Sequence, residues 1–278
     1  MTVGVVGLGL IGGSFALAAA KKTPHRVLGF NRNKDTLEEA LLCGAVEAEL
    51  DEYNLPECDI VIVALPPQAT VAWVENYGKY LKSSCVLVDA VGVKRVIVEK
   101  LSAVADKYGF TYVGGHPMAG KEVAGFPNSD ENLYRGASMI LTPRTGTDIA
   151  IVDDLRIFFL SLGFGRVTIA TPEEHDKVIA YTSQLAHIAS SAYIKSPSAQ
   201  VHSGFSAGSF RDLTRVARLD ESLWTELFRD NRDYLTIELK ELIAHLNEYL
   251  VALESENWDE MRALLKDGRE KKESSGRA

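Results

Sequence analysis

Apolar residues in the first 170 positions gather in short unbroken runs, and between the runs they recur every third or fourth place. The runs TVGVV (2–6), RVLGFN (26–31), DIVIVAL (59–65), CVLVDAV (85–91), TYVGG (111–115), ASMILT (137–142) and RVTIA (166–170) predict strands. Helices are predicted behind the first run, ending near Lys21 and Lys22, and over 34–43, 70–81, 94–107 and 149–162. Strands that are apolar throughout must be covered on both faces, and helices spaced between them supply that cover, which predicts a doubly wound parallel sheet.

At Thr171-Pro172 the pattern changes. No further strand signal follows; helices are expected over 172–192, 209–218, 222–228, 231–253 and 258–266, with a polar, frayed tail from Gly268. The fold class is therefore α/β, with a sheet domain over residues 1–171 and an all-helical domain over 172–278. In the longest helix Leu235, Leu239, Leu242, Leu246, Leu250 and Leu253 recur at spacings of four and three. So narrow an apolar seam suits a partner helix, and a homodimer is expected.

The first strand breaks into GLGLIGGS and then an alanine-rich helix. A G-x-G-x-x-G pattern between strand and helix is a dinucleotide-binding turn: Gly7 permits the bend, Gly9 admits the pyrophosphate and Gly12 lets helix and strand touch. Leu10 and Ile11 open the helix, whose first amides face the anionic diphosphate. The second strand ends in GFNRN, so Asn31 holds the position where an NAD site has an acid, and Arg32 follows it. Without a repelling carboxylate, and with an arginine adjacent, NADP or use of both dinucleotides is expected.

Composition narrows the partners. A net charge of −8, with 46% hydrophobic and 24% charged residues, fits a globular protein with two cores and excludes a nucleic-acid surface as its main business. Cys43, Cys58 and Cys85 have no metal or redox spacing and lie in or beside apolar segments, which predicts reduced core thiols, no metal site and a cytoplasmic protein. The run from Val3 to Ala20 has no basic residue ahead of it and holds five glycines, so no membrane anchor is expected.

Strand ends at Pro66, Gly92 and His116 should line one crevice at the carboxyl edge of the sheet. Around His116 the sequence reads GGHPMAGKEVAGF, and its small residues leave room for a ligand beside the ring. In the helical part Asp176, Ala180, Ser183 and His187 share one stripe at about 100° per residue, where a core-facing helix would carry Leu or Ile. That stripe faces water, a ligand or another polar element. Ser209 and Asp212 suggest a capping box, which accounts for Asp212; Arg215 is either a surface arginine or a carboxylate ligand.

GLGLIGGS, HPMAGKE, SQLAH and FRDLTRVA followed by Trp224, in this order and over nearly the whole chain, together resemble the prephenate/arogenate dehydrogenase family of tyrosine biosynthesis. The resemblance implies oxidative decarboxylation of prephenate or arogenate, with hydride passing to NAD(P), by an enzyme with a helical dimerisation domain. It implies that His116 is the catalytic histidine and that Arg215 holds a substrate carboxylate. His187 and Ser183 would line the substrate pocket, Glu122 and Trp224 would shape and gate it, and Asp176 would lie in a nearby polar cluster. One position departs from the pattern: where the family commonly has serine two residues before Lys94, this chain has Gly92. A 3-hydroxyacid-type dehydrogenase would need a lysine base in the helical part, and a nucleotide-sensing module has no use for His116 and Arg215.

Overall fold

The computed structural model describes residues 1–275, and the predicted strands pair by their backbones with buried valines and isoleucines in register. In chain order the sheet part comprises β1 (Thr2–Val6), α1 (Leu10–Lys22), β2 (Arg26–Phe30), α2 (Lys34–Leu42), β3 (Ala48–Glu49), β4 (Ile60–Val63), α3 (Pro67–Tyr77), β5 (Val86–Asp89) and α4 (Arg95–Tyr108). It continues with β6 (Thr111–Pro117), β7 (Ser138–Pro143), α5 (Ile149–Ser161) and β8 (Arg166–Ile169). One sheet runs in the order β3-β2-β1-β4-β5-β6-β7-β8. Strand order reverses beside β1, which places the dinucleotide crevice between the carboxyl ends of β1 and β4.

Two features depart from the sequence reading. β3 has only two residues, too few to leave a hydrophobic pattern. β7 pairs antiparallel with β6, because no crossover helix separates them to carry the chain back to the other end of the sheet. β6 is still parallel to β5, so the carboxyl ends of β4, β5 and β6 share an edge.

Each face of the sheet carries its own core. Phe15, Tyr134, Phe159 and Phe164 pack ring against ring on one face. Trp73, Ile97, Leu101 and Tyr112 fill the other, together with Leu227 from the helical part. Of the cysteines, Cys58 and Cys85 are buried there and burial pushes their thiols up to about 12, but Cys43, at the exposed end of α2, is no core residue.

The helical part begins with α6 (Pro172–Ile179), a π-helical turn (Ala180–Leu185) and α7 (Ala186–Tyr193), followed by α8 (Gly208–Thr214) and α9 (Glu221–Asp230). Thr171 and Glu174 form a reciprocal capping box that starts α6. The box expected from Ser209 and Asp212 is absent, because α8 already starts at Gly208 with Ala207 as its cap. By compactness residues Met1–Asn231 form one unit, and a second begins at Arg232. The second unit holds α10 (Arg232–Glu254) and α11 (Trp258–Ser275). The tail is helical through Ser275 rather than frayed from Gly268, and ion pairs one turn apart, Lys266–Glu270, Lys271–Asp267 and Arg269–Glu273, support it. Among the described residues no helix is long and apolar enough to cross a membrane.

Candidate active site

The glycine turn is built as its spacing requires. Gly7 has φ +87°, and a Cβ there would lie 2.6 Å from the Ala64 carbonyl oxygen; at Gly12 it would lie 1.9 Å from the oxygen of Gly7. Gly9 faces open space. No side chain caps α1, so the amides of Leu10 and Ile11 open onto that space. An open glycine beside uncapped amides fits a dinucleotide diphosphate. Asn31 closes the turn from the side: its Oδ1 accepts from Leu8 N at 3.0 Å and its Nδ2 donates to the Asn33 carbonyl at 3.1 Å. With its amide so engaged, Asn31 organises the loop, and Arg32 beside it is exposed.

At the same edge, the last residues of β6 carry His116. The ring is half-buried, and its Nδ1 lies 2.8 Å from Nε2 of His175, on α6. Nδ1 of His175 in turn lies 2.8 Å from Oδ1 of Asp176. Asp176 is fully buried and also accepts from Lys94 N at 2.7 Å, Arg95 N at 2.9 Å and Arg95 Nε at 3.3 Å. Burial works against its charge, yet these donors hold its carboxyl below the usual range. Asn231 tethers the turn from behind, donating to the Asp176 carbonyl and to Gln184 Oε1, both at 2.8 Å.

Beneath the histidines lies a second charged group. The buried Lys94 ammonium donates to Asp89 and to the carbonyl of Gly115, the residue before His116. Tyr112 OH donates to the other Asp89 oxygen at 2.7 Å. Burial, His175 and Lys94 together hold His116 well below the ordinary histidine pKa. The ring is uncharged at neutral pH. Its free nitrogen, Nε2, lies 3.8 Å from where a Cβ on Gly92 would be, and Leu227 is the nearest other neighbour of that point at 3.5 Å. The gap at Gly92 is thus a vacant side-chain position rather than a backbone necessity.

The remaining residues expected at the site fall into two pairs. Arg215, in the turn after α8, forms an ion pair with Glu122, from the loop after β6. Trp224 of α9 lies with its ring 3.9 Å from that of His187. His187 Nδ1 is 2.8 Å from the Ser183 carbonyl. A carbonyl only accepts, so Nδ1 carries the proton and Nε2 of the neutral ring presents a lone pair. The expected stripe is disrupted by the π-turn, whose wider i→i+5 winding lowers the rotation per residue: Asp176 and Ala180 are buried, whereas Ser183 and His187 are half-buried, His187 beside Trp224. Of the environments open to the stripe, Asp176 meets another polar element.

Two groups escaped the sequence reading. His175 stands next to Asp176, about 100° away from the stripe used to find polar positions, and its only signal was the adjacent pair His-Asp on a capped first turn. Lys94 enters the sequence reading as the start of a helix and as the lysine that follows Gly92, with no sign of its buried pairing to Asp89. Among the described residues no cluster suited to a metal ion occurs.

Residues 15–169 match the family model described as prephenate dehydrogenase, nucleotide-binding domain, and residues 171–267 match prephenate dehydrogenase, dimerization domain. The chain is 29% identical to the prephenate dehydrogenase of Bacillus subtilis (strain 168), over 92% of this chain and 71% of that protein. Among solved structures, it resembles Synechocystis arogenate dehydrogenase at 29% identity and a TM-score of 0.82, covering 99% of this chain and 100% of that one. It also resembles prephenate dehydrogenase from A. aeolicus in complex with hydroxyphenyl propionate and NAD+, at 25% identity and a TM-score of 0.87, covering 99% and 98%.

Proposed function

The chain belongs to the prephenate dehydrogenase family, and from that membership we propose the roles of its residues. It is a nicotinamide-dinucleotide-dependent dehydrogenase that oxidatively decarboxylates prephenate or arogenate, a step of tyrosine biosynthesis. The observation that carries the residue assignment is the placement of His116, whose Nδ1 lies 2.8 Å from His175 Nε2 while its Nε2 lies 3.8 Å from where a Cβ on Gly92 would be, at the sheet's carboxyl edge.

The substrate is a cyclohexadiene with a hydroxyl on one ring carbon and a carboxylate on the opposite one. A dinucleotide held at the glycine turn would supply the hydride acceptor for the carbinol carbon. His116 Nε2 takes the hydroxyl proton. The ring carboxylate then leaves as carbon dioxide, its bonding pair enters the ring, and aromatisation makes the step irreversible. Arg215 holds a carboxylate in its planar fork, exchanging Glu122 for the substrate. Ser183, His187 and Trp224 line the pocket, with Glu122 and Trp224 as its gate. Gly7, Gly9, Leu10, Ile11 and Gly12 hold the diphosphate, and Asn31 and Arg32 frame the adenosine ribose.

The functional division is a dinucleotide domain over 1–171 and a substrate and dimerisation domain over 172–278. A homodimer is supported by α10, where Ile243, Leu246, Leu250 and Leu253 are exposed along one seam. We place the enzyme in the cytoplasm, where the free thiols Cys43, Cys58 and Cys85 stay reduced. The direct test is to supply prephenate or arogenate with either dinucleotide and follow nicotinamide reduction. No reduction in any combination would sink the proposal.

Cofactor preference rests on Arg32. The expected result is that wild type uses NADP, alone or beside NAD, and that Arg32→Ala lowers kcat/KM for NADP roughly tenfold more than for NAD, the size of one lost charge-assisted contact, about 1.4 kcal/mol. A wild type strongly selective for NAD, or a variant that treats the two dinucleotides alike, assigns Arg32 to the solvated surface.

A further inference from the structure

The hydrogen bonds from Asp176 to His116 have only one possible direction at neutral pH. A carboxylate accepts and cannot donate, so the proton of the 2.8 Å contact with Asp176 sits on His175 Nδ1. Neutral His175 then presents a lone pair at Nε2, and the proton of its 2.8 Å contact with His116 sits on His116 Nδ1. One buried carboxylate therefore fixes the tautomers of two rings in series, and leaves His116 Nε2 as the basic nitrogen.

The two rings differ in what surrounds them. His116 faces His175 from α6, is acted on by the Lys94 ammonium ahead of α4 and lies beside Gly92 after β5, and among the described residues no carboxylate acts on it. His175 faces Asp176, with Asp89 also acting on it and Lys94 opposing both. A positive charge is thus better accommodated on the inner ring than on the outer one. Asp176 is itself held in place by the amides of Lys94 and Arg95.

Resting on the base role of His116, we propose that His116 and His175 form a two-step proton relay. The substrate O–H bond breaks as the proton joins His116 Nε2. The proton on His116 Nδ1 then passes to His175 Nε2, so that His116 is neutral again in its other tautomer and His175 is an imidazolium paired with Asp176. No electrons move in this exchange. The positive charge ends one ring further from the reacting carbon, and after the product leaves, the reverse hop releases the proton from His116 Nε2 to water. His175 is in this scheme a positioning residue that also stores the proton, while His116 alone touches the substrate.

The test is a proton inventory on single-turnover nicotinamide reduction in mixtures of H2O and D2O. Wild type should give a curved dependence, from two protons in flight. In His175→Gln the side-chain carbonyl still accepts from His116 Nδ1 but takes up no proton. Its dependence should be straight, with kcat lower by roughly 10- to 100-fold, within the range that proton transfer contributes, and with dinucleotide affinity unchanged. A straight or absent wild-type dependence, or curvature that survives in His175→Gln, overturns the relay. Should the variant fail to fold, 15N imidazole shifts of the wild-type enzyme decide: His116 protonated at Nδ1 in the free enzyme supports the relay, and protonation at Nε2 removes it. A wild type that oxidises neither prephenate nor arogenate removes the reaction assignment as well, whereas turnover with a straight inventory removes the relay alone.

Discussion

His116→Ala is expected to lower kcat by roughly 10²- to 10⁴-fold while the affinity for the dinucleotide stays nearly intact. The first half follows from Nε2 being the one basic nitrogen beside the vacant position at Gly92. The second follows from their separate contacts: the glycine turn of Gly7, Gly9 and Gly12 lies between β1 and the first turn of α1, whereas the ring of His116 bonds to His175 on α6. The pH profile supplies an independent reading. His116 is active when neutral, and burial, His175 and Lys94 lower its pKa in the folded protein. Activity should therefore be flat through neutrality and fall only below the ordinary histidine value of about 6.5, as the ring becomes protonated. In the alanine variant that acid limb disappears. A variant keeping most of its turnover, or an acid limb lying above the ordinary value, would remove His116 from the role of base.

Most of this arrangement was legible in the sequence for reasons that can be named. Fully buried parallel strands have no choice but to be apolar at every position, so the runs at 59–65 and 85–91 announced themselves, and with them the edge on which Gly92 and His116 meet. The glycine turn was legible because sterics leave no alternative at Gly7 and Gly12. What stayed hidden was whatever depends on contacts distant in sequence or on a break in regularity. The antiparallel β7 has the same composition as a parallel strand. The π-turn at Ala180–Leu185 has no residue signature, yet it redirects Ser183 and His187. His175 leaves no trace in a helical stripe because neighbouring residues on one turn serve one network, His175 toward His116 and Asp176 toward the backbone of Lys94 and Arg95.

Arg215→Lys tests the other end of the pocket. The guanidinium is more than half exposed and is paired with Glu122. Lysine keeps the charge but replaces a rigid fork of five donors with a compact ammonium on a flexible stem, losing the two-point grip on a carboxylate. The expected result is a KM for prephenate or arogenate raised roughly 100-fold, with a much smaller change in kcat and none in KM for the dinucleotide, since the lost contact serves ground state and transition state alike. Glu122→Gln should move KM the other way, because Arg215 then no longer has to give up a resident carboxylate before it takes the substrate's. That opposite sign separates a clamp from a scaffold. If Arg215 and Glu122 merely tie the helical segment to the loop after β6, both substitutions break the same tie and both should weaken substrate binding. An unchanged KM in Arg215→Lys would turn the arginine away from the pocket altogether.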